Sequence, residues 1–160
     1  MRTAFRRKHT RRVAEPGGSG DIKIRLVVQK FGGTSVADPD AIARLIEIVR
    51  RAHVRDGRGP AVVVSAMSGV TDALLGIAAQ AGAAKTDVAL AEVEQLRQRH
   101  LAAARTLVPA AALPPLIAAI EAQFDELSAV VTALGVLREV SPRTLDVVAA
   151  MGELLSSRIV

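Results

Sequence analysis

The sequence predicts an α/β fold on a mostly parallel sheet, and three observations carry that prediction. Two short runs rich in β-branched residues, Ile22 to Gln29 and Ala61-Val62-Val63-Val64-Ser65-Ala66, have the length and composition of strands. Between them Ile42, Leu45, Ile46 and Val49 recur at spacings of three and four, which marks one face of a helix. Strand, helix, strand in that order is a βαβ unit, whose two strands lie parallel.

Composition narrows the function classes. A chain of 160 residues, half of them hydrophobic, can hold one domain with a core of its own. With three Phe, no Trp and no Tyr, that core is aliphatic, and no aromatic platform for single-stranded nucleic acid is in view. The absence of cysteine excludes disulfides, thiolate metal sites and a cysteine nucleophile, and agrees with a reducing cytoplasm as the expected location. No apolar run has the length of a membrane span, so no membrane partner is expected. Of the 21 Lys and Arg, six fall in residues 1–12, leaving fifteen against sixteen Asp and Glu in the remainder. The net charge of +5 is therefore a property of the tail. Such an arm can touch nucleic acid or an anionic membrane. The plainer reading, taken here, is a basic N-terminal extension over residues 1–21 that is disordered, because few apolar groups offset the entropy of ordering it. No specific nucleic-acid motif follows.

Taken in order, strand one covers Ile22 to Gln29. Lys30-Phe31-Gly32-Gly33-Thr34-Ser35 then forms a Gly-rich turn. Asp38 before Pro39 is a cap followed by a first-turn proline, and the helix stops near Asp56-Gly57. The second strand is fully apolar, as expected of a parallel strand covered on both faces. After the loop Met67 to Asp72, a helix begins with Ala73, Leu74, Ile77 and Ala78, and Thr71 is a candidate cap. Two long helical stretches make a hairpin at about 86–134, an insertion or lid beside the sheet. Leu90, Val93, Leu101 and Ala104 face inward on the first, and Leu116, Ile120, Phe124, Leu127 and Val131 on the second. Val108 to Pro115 separates them. Ser141-Pro142 caps a last helix reaching about Ile159. Two strands are too few for so much helix. Residues 22–160 are therefore expected to be the front portion of a larger α/β domain.

Three places carry candidate chemistry. Lys30 with Gly32 and Gly33 ends the first strand. Glycines admit special backbone conformations and close approach of a ligand, and a lysine supplies a mobile positive charge there. The pattern points to phosphate handling, against the plainer reading of a strand-to-helix connection with a surface lysine. It is not a P-loop, whose lysine follows the glycines. Ser65 and Thr71, at the carboxyl end of the second strand, are placed where open α/β sheets bind ligands. They can bond a carboxylate or phosphate, or serve simply as a turn residue and a cap. The third is Gly152-Glu153. Ala149, Glu153, Ser156 and Ser157 fall on one small polar helix face, from which Glu153 can meet an ammonium or simply face solvent. His9, His53 and His100 have no ligand spacing, so no metal site is identified, and His100 reads as a surface or edge residue in a charged segment.

Together these segments resemble the aspartate kinase (aspartokinase) family. The resemblance is carried by Lys30 to Asp38, by Val63-Val64-Ser65-Ala66-Met67-Ser68-Gly69-Val70-Thr71, and by Gly152-Glu153-Leu154-Leu155-Ser156-Ser157. It implies the amino-acid-kinase fold, a three-layer sandwich with a mostly parallel sheet, of which this would be the incomplete N-terminal part. It implies ATP-dependent phosphorylation of the β-carboxylate of L-aspartate to 4-phospho-L-aspartate, with Mg²⁺ accompanying the ATP and a homo-oligomer at full length. That reaction opens the biosynthesis of lysine, threonine, methionine and diaminopimelate. By analogy Lys30 is the catalytic, phosphate-stabilising lysine. Gly32 and Gly33 form the phosphate loop with Thr34 and Ser35 beside it, and Ser65, Thr71 and Glu153 match positions around the aspartate. The second Gly-rich segment of the family is missing, so the chain alone is expected to be inactive. Two alternatives stand beside this reading: another amino-acid kinase of the glutamate or acetylglutamate type, and a non-enzymatic helical interaction protein.

Overall fold

Two four-residue strands, β1 (Val28–Phe31) and β2 (Ala61–Val64), pair in parallel with Val28 opposite Ala61 and Phe31 opposite Val64. The computed structural model describes residues 26–160. The expected disordered extension and the start of strand one at Ile22 lie outside them, but the end of that strand is corrected: 26 and 27 are not strand, and pairing with Val63 and Val64 carries β1 on through Lys30 and Phe31, which were expected in the turn. The ladder is closed at both ends by main-chain bonds, Ala61 N–H to the Val27 carbonyl (2.8 Å) and Ser65 N–H to the Phe31 carbonyl (3.1 Å).

Between the strands runs a short 3-10 turn, Gly33–Val36, and then α1 (Pro39–Asp56). The Asp38 carboxylate accepts the Ala41 N–H at 2.7 Å, and Gly57 closes the helix at φ 66°, a conformation that favours glycine. After β2 come α2 (Val70–Gly82), α3 (Thr86–Leu107), α4 (Leu113–Leu137) and α5 (Pro142–Ile159). Ser141 caps α5, its hydroxyl accepting the Thr144 N–H at 3.1 Å. Pro114 and Pro115 do not break the chain. They lie in the first turn of α4, where a missing N–H costs nothing.

The sheet is covered on one face. Along β1 and β2, Gln29, Phe31, Val62 and Val64 turn toward the helices and are half-buried, while Val28, Lys30, Ala61 and Val63 are exposed. Val28 keeps 53% of its surface and Val63 45%. The expectation that β2 is covered on both faces is therefore not met among the described residues. The fold is a mostly helical α/β arrangement on a small parallel sheet.

The core lies among the helices. Leu74, Ile77, Ala78 and Ala81 of α2 are fully buried against α3, α4 and α5. The α3–α4 hairpin is part of this core, since Val93, Ala104, Ile120, Phe124, Leu127 and Val131 are buried with α2. A lid would expose its inner face, and these helices do not. Gly135 of α4 lies against Thr86 so closely that a β-carbon would collide with it.

His100 corrects the sequence reading. It lies fully buried, edge-on to Phe124 with ring centroids 5.4 Å apart. Its Nδ1–H donates to the Leu96 carbonyl at 2.7 Å, which fixes the tautomer, because a carbonyl can only accept. Its Nε2 has no partner. The signal for burial was in the spacing: Ala89, Val93, Leu96, His100 and Ala103 form one stripe of α3, hidden by charged neighbours. Arg97 reinforces the same contact, lying 5.7 Å from the Phe124 ring centre and 2.8 Å from the Asp125 carboxylate.

The polar face proposed for α5 is also divided. Ser156 is buried with Gly152, and its hydroxyl lacks a partner, while Glu153 and Ser157 are exposed. Ser156 is one turn beyond Gly152 and shares its inward side. A β-carbon on Gly152 would sit 3.0 Å from Ala66 Cβ and 3.1 Å from both Val70 Cγ1 and Leu74 Cδ1, so α5 is seated directly on the start of α2.

Two predictions follow from this packing. Gly152→Val overfills that contact and is expected to cost about 1–3 kcal/mol, read as a lower urea midpoint at unchanged m-value. Burial holds the His100 imidazole below its ordinary value, the Leu96 bond opposes this, and the Arg99 charge adds to the lowering. The unfolded chain then binds the proton more tightly than the folded one. Stability is full above the unfolded value and declines as pH falls from about 6.5 through the lowered folded value. Urea midpoints across that range should fall in the native sequence and stay nearly level in His100→Gln; equal slopes would contradict it.

Candidate active site

The carboxyl ends of β1 and β2 open into one depression of about 390 Å³, lined by Gly33, Thr34, Ser65, Ala66, Met67, Ser68, Gly69, Thr71 and Asp72. Two loops make its walls. The first is the 3-10 turn after β1, which the ladder brings beside the second, the β2–α2 loop. The Ser35 N–H donates to the Gly32 carbonyl at 2.8 Å and tightens the turn, with Gly33 and Thr34 on the open side. In the second wall Gly69 takes φ 76°, which lets the chain reverse into α2, and the Val70 N–H closes on the Met67 carbonyl at 3.0 Å.

Of the two uses expected of the first wall's glycines, special backbone conformations and close approach of a ligand, the first is not met. Gly32 has an extended backbone that any residue adopts, and neither it nor Gly33 is left-handed. A β-carbon on Gly32 would meet nothing within 4 Å, and one on Gly33 only the Ala66 carbonyl at 3.4 Å. No fold requirement excludes a side chain at Gly32. What its absence provides is bare backbone, open to a ligand.

The structure brings Gly33, Thr34, Ser65 and Thr71 together around one space. Gly32 and Ser35 belong to the same turn without lining it. Lys30 is exposed on the uncovered sheet face, at the second-last position of β1 and opposite Val63. Glu153 is exposed on α5, one residue from the Gly152 contact with Ala66, and does not line the depression. Thr71 is not a helix cap, since Gly69 holds that position, and its side chain is left facing the cavity. Ser68 and Asp72 escaped the sequence reading. Both flank residues that it had singled out, and only the wall geometry distinguishes them. Asp72 is the one carboxylate in the lining. Among the described residues no three His, Asp or Glu side chains gather into a metal cage, and no helix is long and apolar enough to cross a membrane. A second, smaller groove of about 300 Å³ runs along α1 between Glu47, Arg50, Arg51, Val54 and Arg55. Apart from Val54, its walls are ion-paired surface side chains of one helix.

Comparison with known proteins places this geometry. The model of the amino acid kinase family matches residues 25–160. An aspartokinase of Rickettsia prowazekii is 48% identical over 50 residues, 31% of this chain and 11% of its own length. A chloroplastic bifunctional aspartokinase/homoserine dehydrogenase 2 of Arabidopsis thaliana is 30% identical over 133 residues, 82% of this chain. The chain spans only 14% of that relative's length. Among solved structures, E. coli aspartokinase III in complex with lysine and aspartate (T-state) superposes with a TM-score of 0.67 at 28% identity, covering 84% of this chain and 27% of that one. The same enzyme in complex with aspartate and ADP (R-state) gives a TM-score of 0.66 at 26% identity, over 84% of this chain and 28% of that one. The chain therefore belongs to the amino acid kinase family, and it corresponds to the N-terminal portion of an aspartokinase-like kinase domain.

Proposed function

We propose that this chain is one wall of the active site of an aspartate kinase, acting within a longer protein in the cytoplasm. The observation that carries this is the depression itself. Bare backbone at Gly33 faces three hydroxyl side chains, Ser65, Ser68 and Thr71, across the carboxyl ends of two parallel strands, with the open backbone of Gly32 next to it in the turn. Bare backbone suits a phosphate chain, and clustered hydroxyls suit a carboxylate. The E. coli enzyme crystallised with aspartate and ADP shares the fold over 84% of this chain, which supports assigning the same pair of ligands here.

In the proposed reaction the β-carboxylate of L-aspartate, ionised at neutral pH, attacks the γ-phosphorus of ATP. A carboxylate oxygen–phosphorus bond forms, and the bond from that phosphorus to the β–γ bridging oxygen breaks. ADP and 4-phospho-L-aspartate result. No proton is transferred, so no general base is required. Lys30 neutralises charge on the transferring phosphoryl group, reaching over the strand end on its long, unencumbered side chain. Gly32, Gly33, Thr34 and Ser35 receive the phosphates, and Ser65 and Thr71 orient the acceptor carboxylate. Glu153 is assigned the substrate ammonium by the family pattern, and Asp72 adds a carboxylate to the same region. Mg²⁺ would enter on the nucleotide phosphates, with Asp72 the carboxylate nearest to receive it, and would supply charge neutralisation there.

The uncovered sheet fits this reading. Val28, Val63 and Leu26 are apolar and exposed, and two strands do not stand alone. We assign residues 22–160 to the front part of the kinase domain. The rest of the domain would cover that face, extend the sheet and supply most of the nucleotide pocket. Homo-oligomer formation at full length, and a place at the entry to lysine, threonine, methionine and diaminopimelate synthesis, belong to the same proposal.

The decisive experiment is an ADP-release assay on the full-length protein with L-aspartate, L-glutamate and N-acetyl-L-glutamate as acceptors. Turnover dependent on aspartate is expected, and preference for either other acceptor would sink the reading. Lys30→Ala should lower kcat about 100- to 1,000-fold with unchanged melting. Ser65→Ala and Thr71→Val should raise KM for aspartate about tenfold, through loss of a bond to a charged group. Residues 1–160 purified alone should release no ADP above background.

A further inference from the structure

Arg99 lies in the charged middle of α3, apart from every motif in the sequence. Its guanidinium makes two hydrogen bonds, and both reach the walls of the depression. Nη1–H donates to the Ser68 carbonyl and Nη2–H to the Ala37 carbonyl, each at 3.0 Å. Ala37 closes the 3-10 turn that carries Gly33 and Thr34, and Ser68 lies in the β2–α2 wall. One side chain thus joins the two loops across the site. Beyond the last ladder bond, from Ser65 to Phe31, the two loops share no main-chain hydrogen bond among the described residues.

The chemistry of the contact favours a fixed spacing. Guanidinium donors form a rigid planar fork, so two acceptors held at once are held at a set separation; an ammonium on a flexible stem does not do this. The base of the fork is firm as well. His100 and Leu101 beside it, and Leu96 one turn before, are buried in the α2–α3–α4 core. Among the described residues no carboxylate forms an ion pair with Arg99, so its charge adds to the attraction of the site for anions.

We propose that Arg99 is a positioning residue for phosphoryl transfer, a brace that sets the gap between the phosphate wall and the acceptor wall. The proposal rests on the kinase reading above. Phosphoryl transfer depends on in-line placement of two substrates, and a displacement of about 1 Å at the reacting centre can cost about 100-fold in rate. Arg99 holds the two surfaces that determine that placement, and ties them to the helical core.

The test uses the full-length protein with Arg99→Ala and Arg99→Lys, and Arg51→Ala on the outer face of α1 as the control. Amide hydrogen exchange is followed at residues 33–38 and 66–69, together with kcat and KM for aspartate and ATP. Both Arg99 variants should speed exchange in both loops while protection within α3 and α4 is kept. They should lower kcat/KM about 10- to 100-fold, the greater part in kcat. Added guanidinium should restore part of the Arg99→Ala activity, and sodium chloride at the same ionic strength should not. Arg51→Ala should match the native protein. Unchanged exchange in either loop overturns the proposal, and so does faster exchange with native kcat/KM. If the native protein shows no aspartate-dependent turnover, the kinase reading fails instead, and the exchange data alone then decide for or against the brace. Should Arg99→Ala not fold, Arg99→Lys keeps the charge and the stem and carries the same outcomes.

Discussion

Burial of α2 among three other helices is the contact on which the rest of the structure depends. A two-stranded parallel sheet is not stable alone, and its other face here is bare. The strands are held in place by what lies behind them. Leu74, Ile77, Ala78 and Ala81 are fully buried between α3, α4 and α5. The small residues among them let the neighbouring helices approach closely. In an aliphatic core with one buried Phe among the described residues, this close approach replaces the bulk that aromatic side chains would bring. The same helix begins at the wall of the depression, so packing that stabilises the core also fixes the site.

The site is assembled from segments that meet only through this packing. The sheet brings the two loops side by side at the strand ends. Helix α5, seated at Gly152 on Ala66, Val70 and Leu74, presses the second loop from behind. Helix α3 crosses in front and joins both loops through the Arg99 guanidinium. The α3–α4 hairpin is therefore the support of the site. Its firmness comes from contacts of unequal kind: Phe124 with His100, Arg97 over the same ring, and glycine at Gly135, where a β-carbon would collide with Thr86.

The polar groups inside this core are costly. His100 leaves one ring nitrogen without a partner, and Ser156 leaves its hydroxyl so. Each such group lowers stability relative to an apolar residue of the same shape. His100 offsets part of this through its bond to Leu96 and its edge contact with Phe124. For Ser156, beneath the α5 contact with the β2–α2 loop, the described residues offer no compensating bond.

Much of this was legible in the residues themselves. Local rules placed the second strand, the Asp38 and Ser141 caps, the end of α1 at Gly57 and the family resemblance, because caps, turns and motifs depend on neighbours a few positions away. Lys30, the two glycines, Ser65 and Thr71 could be singled out for the same reason. The tertiary structure decided the rest. Whether Thr71 caps a helix or faces a cavity depended on where Gly69 turns the chain. Whether His100 is exposed depended on which stripe of α3 meets α4. That Gly32 offers open backbone, with no conformational need for glycine, could be seen only once the space around it was defined. Arg99 reaches carbonyls 31 and 62 positions away. Such a contact leaves no periodic trace in sequence, because it is made by packing between elements whose relative placement only the folded chain determines.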